Sequence, residues 1–216
     1  MSADARLREA VCRFAASLYQ RGLTPGASGN ISARTEDGGL LVTPTGSSFG
    51  ALDPARLSRL DASGALIAGD APTKEMPLHS AFYETRAGAG AVVHLHSSHS
   101  VALSMLPDTD PEEVLPPLTA YSVMRVGRVK LLPYFRPGDP AMGDAVRGLG
   151  GKRSAVLLAN HGPVVAGKDL ESAVWAMEEL EETAKLALLT RGAGPVGLTD
   201  GQIADLVKTF GAEWDI

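Results

Sequence analysis

Two nearly unbroken apolar runs constrain this chain most: Ala91-Val92-Val93-His94-Leu95-His96 and Ala155-Val156-Leu157-Leu158-Ala159. Each is short for a helix, and each reads as a buried strand. Histidine sits in the first, at His94 and His96, and directly after the second, in Asn160-His161-Gly162. Helical and strand patterns alternate irregularly around them. Ala10, Val11, Phe14, Ala15 and Leu18 fall at helical spacing, which predicts an amphipathic helix over residues 1–20 that Gly22 stops. Segments 31–34 and 40–43 flank Asp37-Gly38-Gly39, a hairpin signal. Pro72-Thr73-Lys74-Glu75 opens a further helix, with Thr73 as its N-cap, running through Phe82 toward Gly88. A helix is also expected over 100–106, a surface loop over the acidic, Pro-rich stretch 107–117, and a short strand over 130–134. Asp169 caps a long helix to Leu189, and a last helix runs from Thr199-Asp200 to Phe210. This alternation predicts one α/β or α+β layered domain with a mixed sheet.

Composition narrows the classes. At 216 residues the chain is one domain of ordinary size, long enough to bury a core without staples. Its net charge of −5 lacks the basic footprint of a general nucleic-acid binder. The single cysteine, Cys12, lies in a helical pattern and reads as a small buried hydrophobe; it excludes an internal disulfide. The N-terminal stretch interleaves charges with apolar residues, so it is neither a signal sequence nor a membrane span. No membrane partner and a reducing, cytoplasmic setting are expected.

The candidate chemistry starts from His94 and His96. Two residues apart on a strand, they project to one face and can share a divalent ion. His161 is a third imidazole at a strand end. Three histidines with an open position suit a catalytic zinc site, although core histidines satisfied by their neighbours would give the same spacing. Glu75, near a helix N-terminus, is either a fourth ligand, an acid–base group or a first-turn carboxylate favoured by the helix dipole. Ser28-Gly29-Asn30 and Thr45-Gly46-Ser47 are loops of small residues with free N–H groups and hydroxyls. With the helix start at Thr73-Lys74 they can cradle a phosphate, or each can be a plain turn.

Five motifs follow one another in order: Gly29-Asn30-Ile31-Ser32, Thr43-Pro44-Thr45-Gly46, Pro72-Thr73-Lys74-Glu75 with His79, Val93-His94-Leu95-His96, and Asn160-His161-Gly162. Together they resemble the class II aldolase/adducin family, from about residue 6 to about residue 210. The resemblance implies one domain over 1–216, a three-layer α/β/α fold with a mostly antiparallel central sheet. It implies one divalent metal per subunit, of the Zn2+ type, held by His94, His96 and His161, with Glu75 as acid–base residue and fourth ligand. It assigns substrate phosphate to Gly29, Asn30, Thr45, Gly46, Thr73 and Lys74. It also implies a homotetramer with sites between subunits, where Tyr121 falls near the place of a tyrosine brought by a neighbour.

Within the family, Lys74 stands where the L-fuculose-1-phosphate aldolases have Ser. The segments around Val123-Met124-Arg125-Val126-Gly127, Pro133-Tyr134-Phe135-Arg136-Pro137-Gly138-Asp139 and Met177-Glu178-Glu179-Leu180 look like the 3-oxo-tetronate 4-phosphate decarboxylase branch. That likeness implies a phosphorylated sugar-acid substrate and release of CO2 and dihydroxyacetone phosphate through a metal-stabilised enediolate. Glu75 in its acid form would protonate the enediolate carbon, and Lys74 would bind phosphate or the departing carboxylate. Arg125 and Arg136 have no assigned place, and His79 and His99 are expected to support ligand imidazoles or to pack, rather than to ligate. The alternatives are a sugar-phosphate aldolase using the same residues and, more remotely, a non-catalytic adducin-like binding module.

Overall fold

The computed structural model describes residues 2–214. The first helix, α1 (Ala3–Gln20), is capped by Ser2, whose hydroxyl accepts from the Ala5 N–H, and it buries Val11, Ala15 and Leu18. β1 (Asn30–Arg34) and β2 (Leu40–Val42) form the expected hairpin. β3 (Ser58–Leu60) and β4 (Leu66–Ala68) extend it. Sequence patterning had not singled out that second hairpin. Its signal is Asp61, whose side chain accepts from the N–H groups of Ser63 and Ala65 and closes the turn.

α2 spans Met76–Thr85, β5 Ala91–His94 and α3 Ser98–Ser104. One turn of π-helix follows at Ser122–Val126, then β6 (Lys130–Leu132), α4 (Ala141–Arg147), β7 (Ala155–Leu158) and β8 (Gly162–Gly167). The long α5 (Leu170–Thr190) carries the Asp169 cap as expected, and α6 (Asp200–Phe210) is capped by Thr199.

The eight strands form one sheet in the order β4-β3-β2-β1-β5-β8-β7-β6. β6 and β7 pair in parallel, because α4 lies between them and supplies the crossover that a parallel pair requires. The sheet is therefore mixed, which corrects the mostly antiparallel sheet implied by the resemblance. Alternation along the central strands serves both faces. Ala91, Val93, Leu95, Ala155, Leu157 and Val165 join residues of α1, α3 and α5 in one buried cluster. Val92, Val156, Leu158, Val164 and Ala166 join α2 and α4 in another. Cys12 is half-buried at the edge of the first cluster rather than within it.

Two boundaries near the site and one element differ from expectation. α2 starts at Met76 with Glu75 as N-cap residue; Thr73 lies outside the helix, its hydroxyl accepting from the Glu75 N–H at 3.3 Å. The strand over 91–96 ends at His94, with the Leu95 N–H still donating to the Pro163 carbonyl at 3.2 Å before α3 begins at Ser98. α4 was not foreseen: Gly143 sits inside it because a Cβ there would lie 2.6 Å from the Pro77 carbonyl, where α2 and α4 meet.

Candidate active site

His94 ends β5 and is fully buried. Its Nδ1 lies 2.9 Å from the Pro163 carbonyl, which can only accept, so Nδ1 carries the hydrogen and Nε2 is left with a bare lone pair. His96 follows beyond the strand end. His161 is delivered by a turn in which Asn160 adopts φ 55° and the Leu158 carbonyl accepts from the His161 N–H. That turn presses on the first segment: a Cβ on Gly162 would lie 2.1 Å from the Leu95 carbonyl oxygen. The three imidazole centroids stand 4.7 to 5.0 Å apart.

Glu75 faces them from the start of α2. Its Oε1 is 3.2 Å from His161 Nε2 and its Oε2 3.4 Å from His94 Nε2. One ligand atom from each of Glu75, His94, His96 and His161 lies within 4.8 Å of the others. Glu75 Oε1, His94 Nε2 and both ring nitrogens of His161 are buried without a hydrogen-bond partner. Orphaned buried lone pairs are costly, and a cation among them removes that cost. Spacings of 3.2 and 3.4 Å also match the edge, about 3.3 Å, of a tetrahedron with ~2.0 Å metal–nitrogen bonds. The donor set therefore fits a divalent metal. Burial lowers the His94 imidazole to about 4, against the pull of Glu75, and burial likewise lowers His96. Both are neutral near pH 7, the form that ligates.

The Glu75 carboxyl is pulled both ways. Burial pushes it up, but the His161 and His94 imidazoles and the Asn30 amide outweigh burial and hold it below the usual carboxylate range. The acid form expected from the sequence is thus disfavoured in the metal-free protein, and Glu75 stands as a carboxylate.

Asn30 makes the polar contact that sequence reasoning missed. Its Nδ2 donates to Glu75 Oε2 at 2.7 Å, and its Oδ1 faces His79 Nε2. Ser32 Oγ meets His79 Nδ1 at 2.7 Å and the Tyr83 hydroxyl at 2.9 Å. Burial lowers His79 to about 3, so the ring is neutral; Nε2 donates to Asn30 and Nδ1 accepts from Ser32. The chain Ser32–His79–Asn30–Glu75 thus donates link by link toward the carboxylate. The signal in the sequence was the alternation of Asn30 and Ser32 on one face of β1 and the spacing of Glu75, His79 and Tyr83 on one face of α2.

The segments next to the candidate phosphate loops are hydrogen-bonded to one another. Ile31 and Thr43 bond across β1 and its neighbour, and the Thr45 N–H donates to the Ala71 carbonyl at 3.0 Å. Gly29 and Gly46 take φ 82° and 68°, open to glycine. Thr45, Gly46 and Lys74 are exposed, Gly29 is half-buried, and Thr73 and Asn30 are buried. Tyr121 lies elsewhere. It is exposed, its ring 5.3 Å from the Arg125 guanidinium, in a surface groove shared with Trp175 and lined by none of the four clustered residues. His99 faces Glu181 and is not among the four clustered residues.

Comparison with known proteins agrees with this layout. Residues 9–188 match the family described as Class II Aldolase and Adducin N-terminal domain. The chain is 46% identical over 218 residues to a 3-oxo-tetronate 4-phosphate decarboxylase of Cupriavidus necator, covering 99% of this chain and 100% of that protein. It is 33% identical to an L-fuculose phosphate aldolase of Escherichia coli, over 89% and 88% of the two chains. Among solved structures, YgbL of Escherichia coli superposes with a TM-score of 0.92 at 47% identity, covering 95% of this chain and 99% of that one. This chain belongs to the class II aldolase and adducin family.

Proposed function

We propose that this protein is a lyase that decarboxylates a 3-oxo-tetronate 4-phosphate to CO2 and dihydroxyacetone phosphate. The observation that carries the reading is the buried Glu75–His94–His96–His161 cluster with its orphaned lone pairs, in a chain 46% identical over its length to a decarboxylase of that name. His94, His96, His161 and Glu75 would hold the metal, which when bound supplies a Lewis acid for an oxygen that gains charge.

The rest is the work of this chain's own side chains. Loss of CO2 from a 3-oxo acid leaves an electron pair on C2, and a proton must reach that carbon. Glu75 enters as a carboxylate, takes up at Oε1 the one proton that the net reaction draws from solvent water, and delivers it to C2. Asn30 occupies Oε2 and keeps Oε1 turned toward the imidazoles. Gly29, Thr45, Gly46, Thr73 and Lys74 bind phosphate; the backbone bonds between their segments support that grouping. Lys74 is exposed and has no ion pair among the described residues. Pairing it with phosphate serves the reaction better than pairing it with the departing carboxylate, since a tightly held carboxylate stabilises the ground state. Asn30 acts chiefly on Glu75 in this reading.

The finer parts belong to the same proposal: Zn2+ as the ion, one domain over 1–216 in three α/β/α layers, a homotetramer with Tyr121 at a subunit contact, and a cytoplasmic location. No helix among the described residues is long and apolar enough to cross a membrane. The aldolase reading shares every one of the four clustered residues and is favoured by the 33% identical relative; the higher identity of the decarboxylase and Lys74 rank it second.

The test is metal analysis of the purified protein with an assay for CO2 and dihydroxyacetone phosphate. A 3-oxo-tetronate 4-phosphate should yield both. Lactaldehyde or glyceraldehyde from a ketose 1-phosphate, without CO2, would reverse the ranking.

A further inference from the structure

We propose that α3 is a strut that sets the spacing of His96 and His161, and that Glu181 and Ser104 are the positioning residues at its two ends. The inference rests on reading the four clustered residues as a metal site.

His96 and His161 come from segments far apart in sequence, and neither lies within a strand. The seven residues of α3 start two positions after His96. Ser97, its N-cap residue, makes no capping bond, and the Ser97 hydroxyl is buried without a partner. The helix start is held instead from outside. Glu181, on α5 and only 5% exposed, spends both carboxylate oxygens on it. Oε1 accepts from the His99 N–H at 2.9 Å and faces His99 Nδ1 at 2.8 Å. Oε2 accepts from the Ser100 N–H at 2.9 Å and the Ser100 hydroxyl at 2.6 Å. A buried carboxylate on helix-start N–H groups is a strong, charge-assisted anchor.

The other end of α3 reaches the second ligand segment. Ser104 Oγ accepts from the Asn160 N–H at 3.0 Å while donating to the Val101 carbonyl at 2.7 Å. Asn160 is the residue in left-handed conformation that immediately precedes His161. One short helix, about 10 Å long, thus connects the residue after one ligand to the residue before another. α5 supplies the fixed base, since Ala173, Val174, Ala176, Met177, Leu180 and Ala184 bury it in the main core.

Ser104→Ala and Glu181→Gln test the assignment. Serine 104 is replaced by a residue that keeps the helix, and glutamine keeps the size of Glu181 while facing the N–H groups with fewer acceptors. In the metal-free chain, amide hydrogen exchange at Asn160 is read first. A strut transmits, so Glu181→Gln should speed exchange at Asn160, at the far end, by about tenfold. Unchanged exchange there overturns the proposal, and this readout needs no metal. Co2+ then serves as probe: each variant should bind it about tenfold more weakly and with an altered visible spectrum, the usual scale for groups that orient ligands. Wild-type affinity and spectrum in both variants would overturn the strut, as a role in stability alone lowers the melting temperature and leaves the folded site intact. A wild-type chain that binds no Co2+ would sink the metal reading, and Asn160 exchange alone then decides for or against the strut.

Discussion

Replacing Asn30 by Asp changes one NH2 group into one oxygen and little else in shape. The consequence is electrostatic. Asn30 Nδ2 lies 2.7 Å from Glu75 Oε2, so the new oxygen would meet a carboxylate at that distance. With an effective dielectric constant of about 20, two unit charges there repel by about 6 kcal/mol. The protein has a cheaper course near neutrality, which is to hold one extra proton. Keeping a carboxyl protonated costs about 1.4 kcal/mol for each pH unit above its ordinary pKa of about 4, hence about 1.5 kcal/mol at pH 5 and about 4 kcal/mol at pH 7.

The sign follows from linkage. Whether the proton sits on a carboxyl or on a neighbouring imidazole, the folded state binds it more tightly than the unfolded chain. The stability is present below the unfolded pKa and is lost as pH rises through the folded one. The deficit of Asn30→Asp should therefore grow from about 1.5 kcal/mol at pH 5 to about 4 at pH 7, levelling near pH 8 where repulsion becomes the lesser cost. Glu75 itself, held below the usual range, loses its contribution as pH falls below about 4 and does not enter that window. Denaturant unfolding of metal-free wild type and variant at pH 5 and pH 7 measures both deficits. Equal stability at pH 7 would show that Asn30 does not face an ionised Glu75. A deficit of the same size at both values would show lost packing instead, and the reasoning would fail.

Four shorter expectations accompany it. His94→Ala should lose metal and turnover together; full metal content in the purified variant, by elemental analysis, would remove His94 from the ligands. Metal-free protein should lose stability as pH falls from about 6.5 toward about 4, because burial lowers His94 and the folded state resists the proton that the unfolded chain accepts; a flat melting temperature across that range contradicts it. Lys74→Ser should raise KM for acid substrates more than for neutral sugar phosphates, and equal effects in a paired kinetic assay would leave Lys74 without a selective role. Gly162→Ala places a Cβ 2.1 Å from the Leu95 carbonyl oxygen and 3.3 Å from His96 Cα, so it should cost about 1–3 kcal/mol and weaken Co2+ binding, while wild-type affinity by titration would mean the turn can yield.

What could be read from residues alone, and what could not, divides along the range of the interactions. The apolar runs at 91–95 and 155–158 are central strands because each residue is buried whichever way it points, a property that consecutive letters record. The histidines were legible because metal chemistry admits few residue types and the short list of five left little choice. The His94–His96 argument from strand alternation holds beyond the strand end at His94: the Leu95 N–H still donates to the Pro163 carbonyl and Leu95 joins Ala91 and Val93 in one cluster, which leaves His94 and His96 to the other face, where they meet. Glu181 shows the limit. In sequence it is one glutamate within Glu178-Glu179-Leu180-Glu181-Glu182, indistinguishable from a solvated helix face. Only the packing of α3 on α5 turns that one carboxylate inward, onto N–H groups some eighty positions away. Asn30 belongs to the same class: a small polar residue in a glycine loop reads as a phosphate contact, until the register of β1 against β5 sets it opposite His94 and lays its amide on Glu75. Local chemistry therefore names the four clustered residues, whereas the partners of Glu75 and the role of Glu181 are decided by tertiary contacts, for which spacing marks at most a shared face.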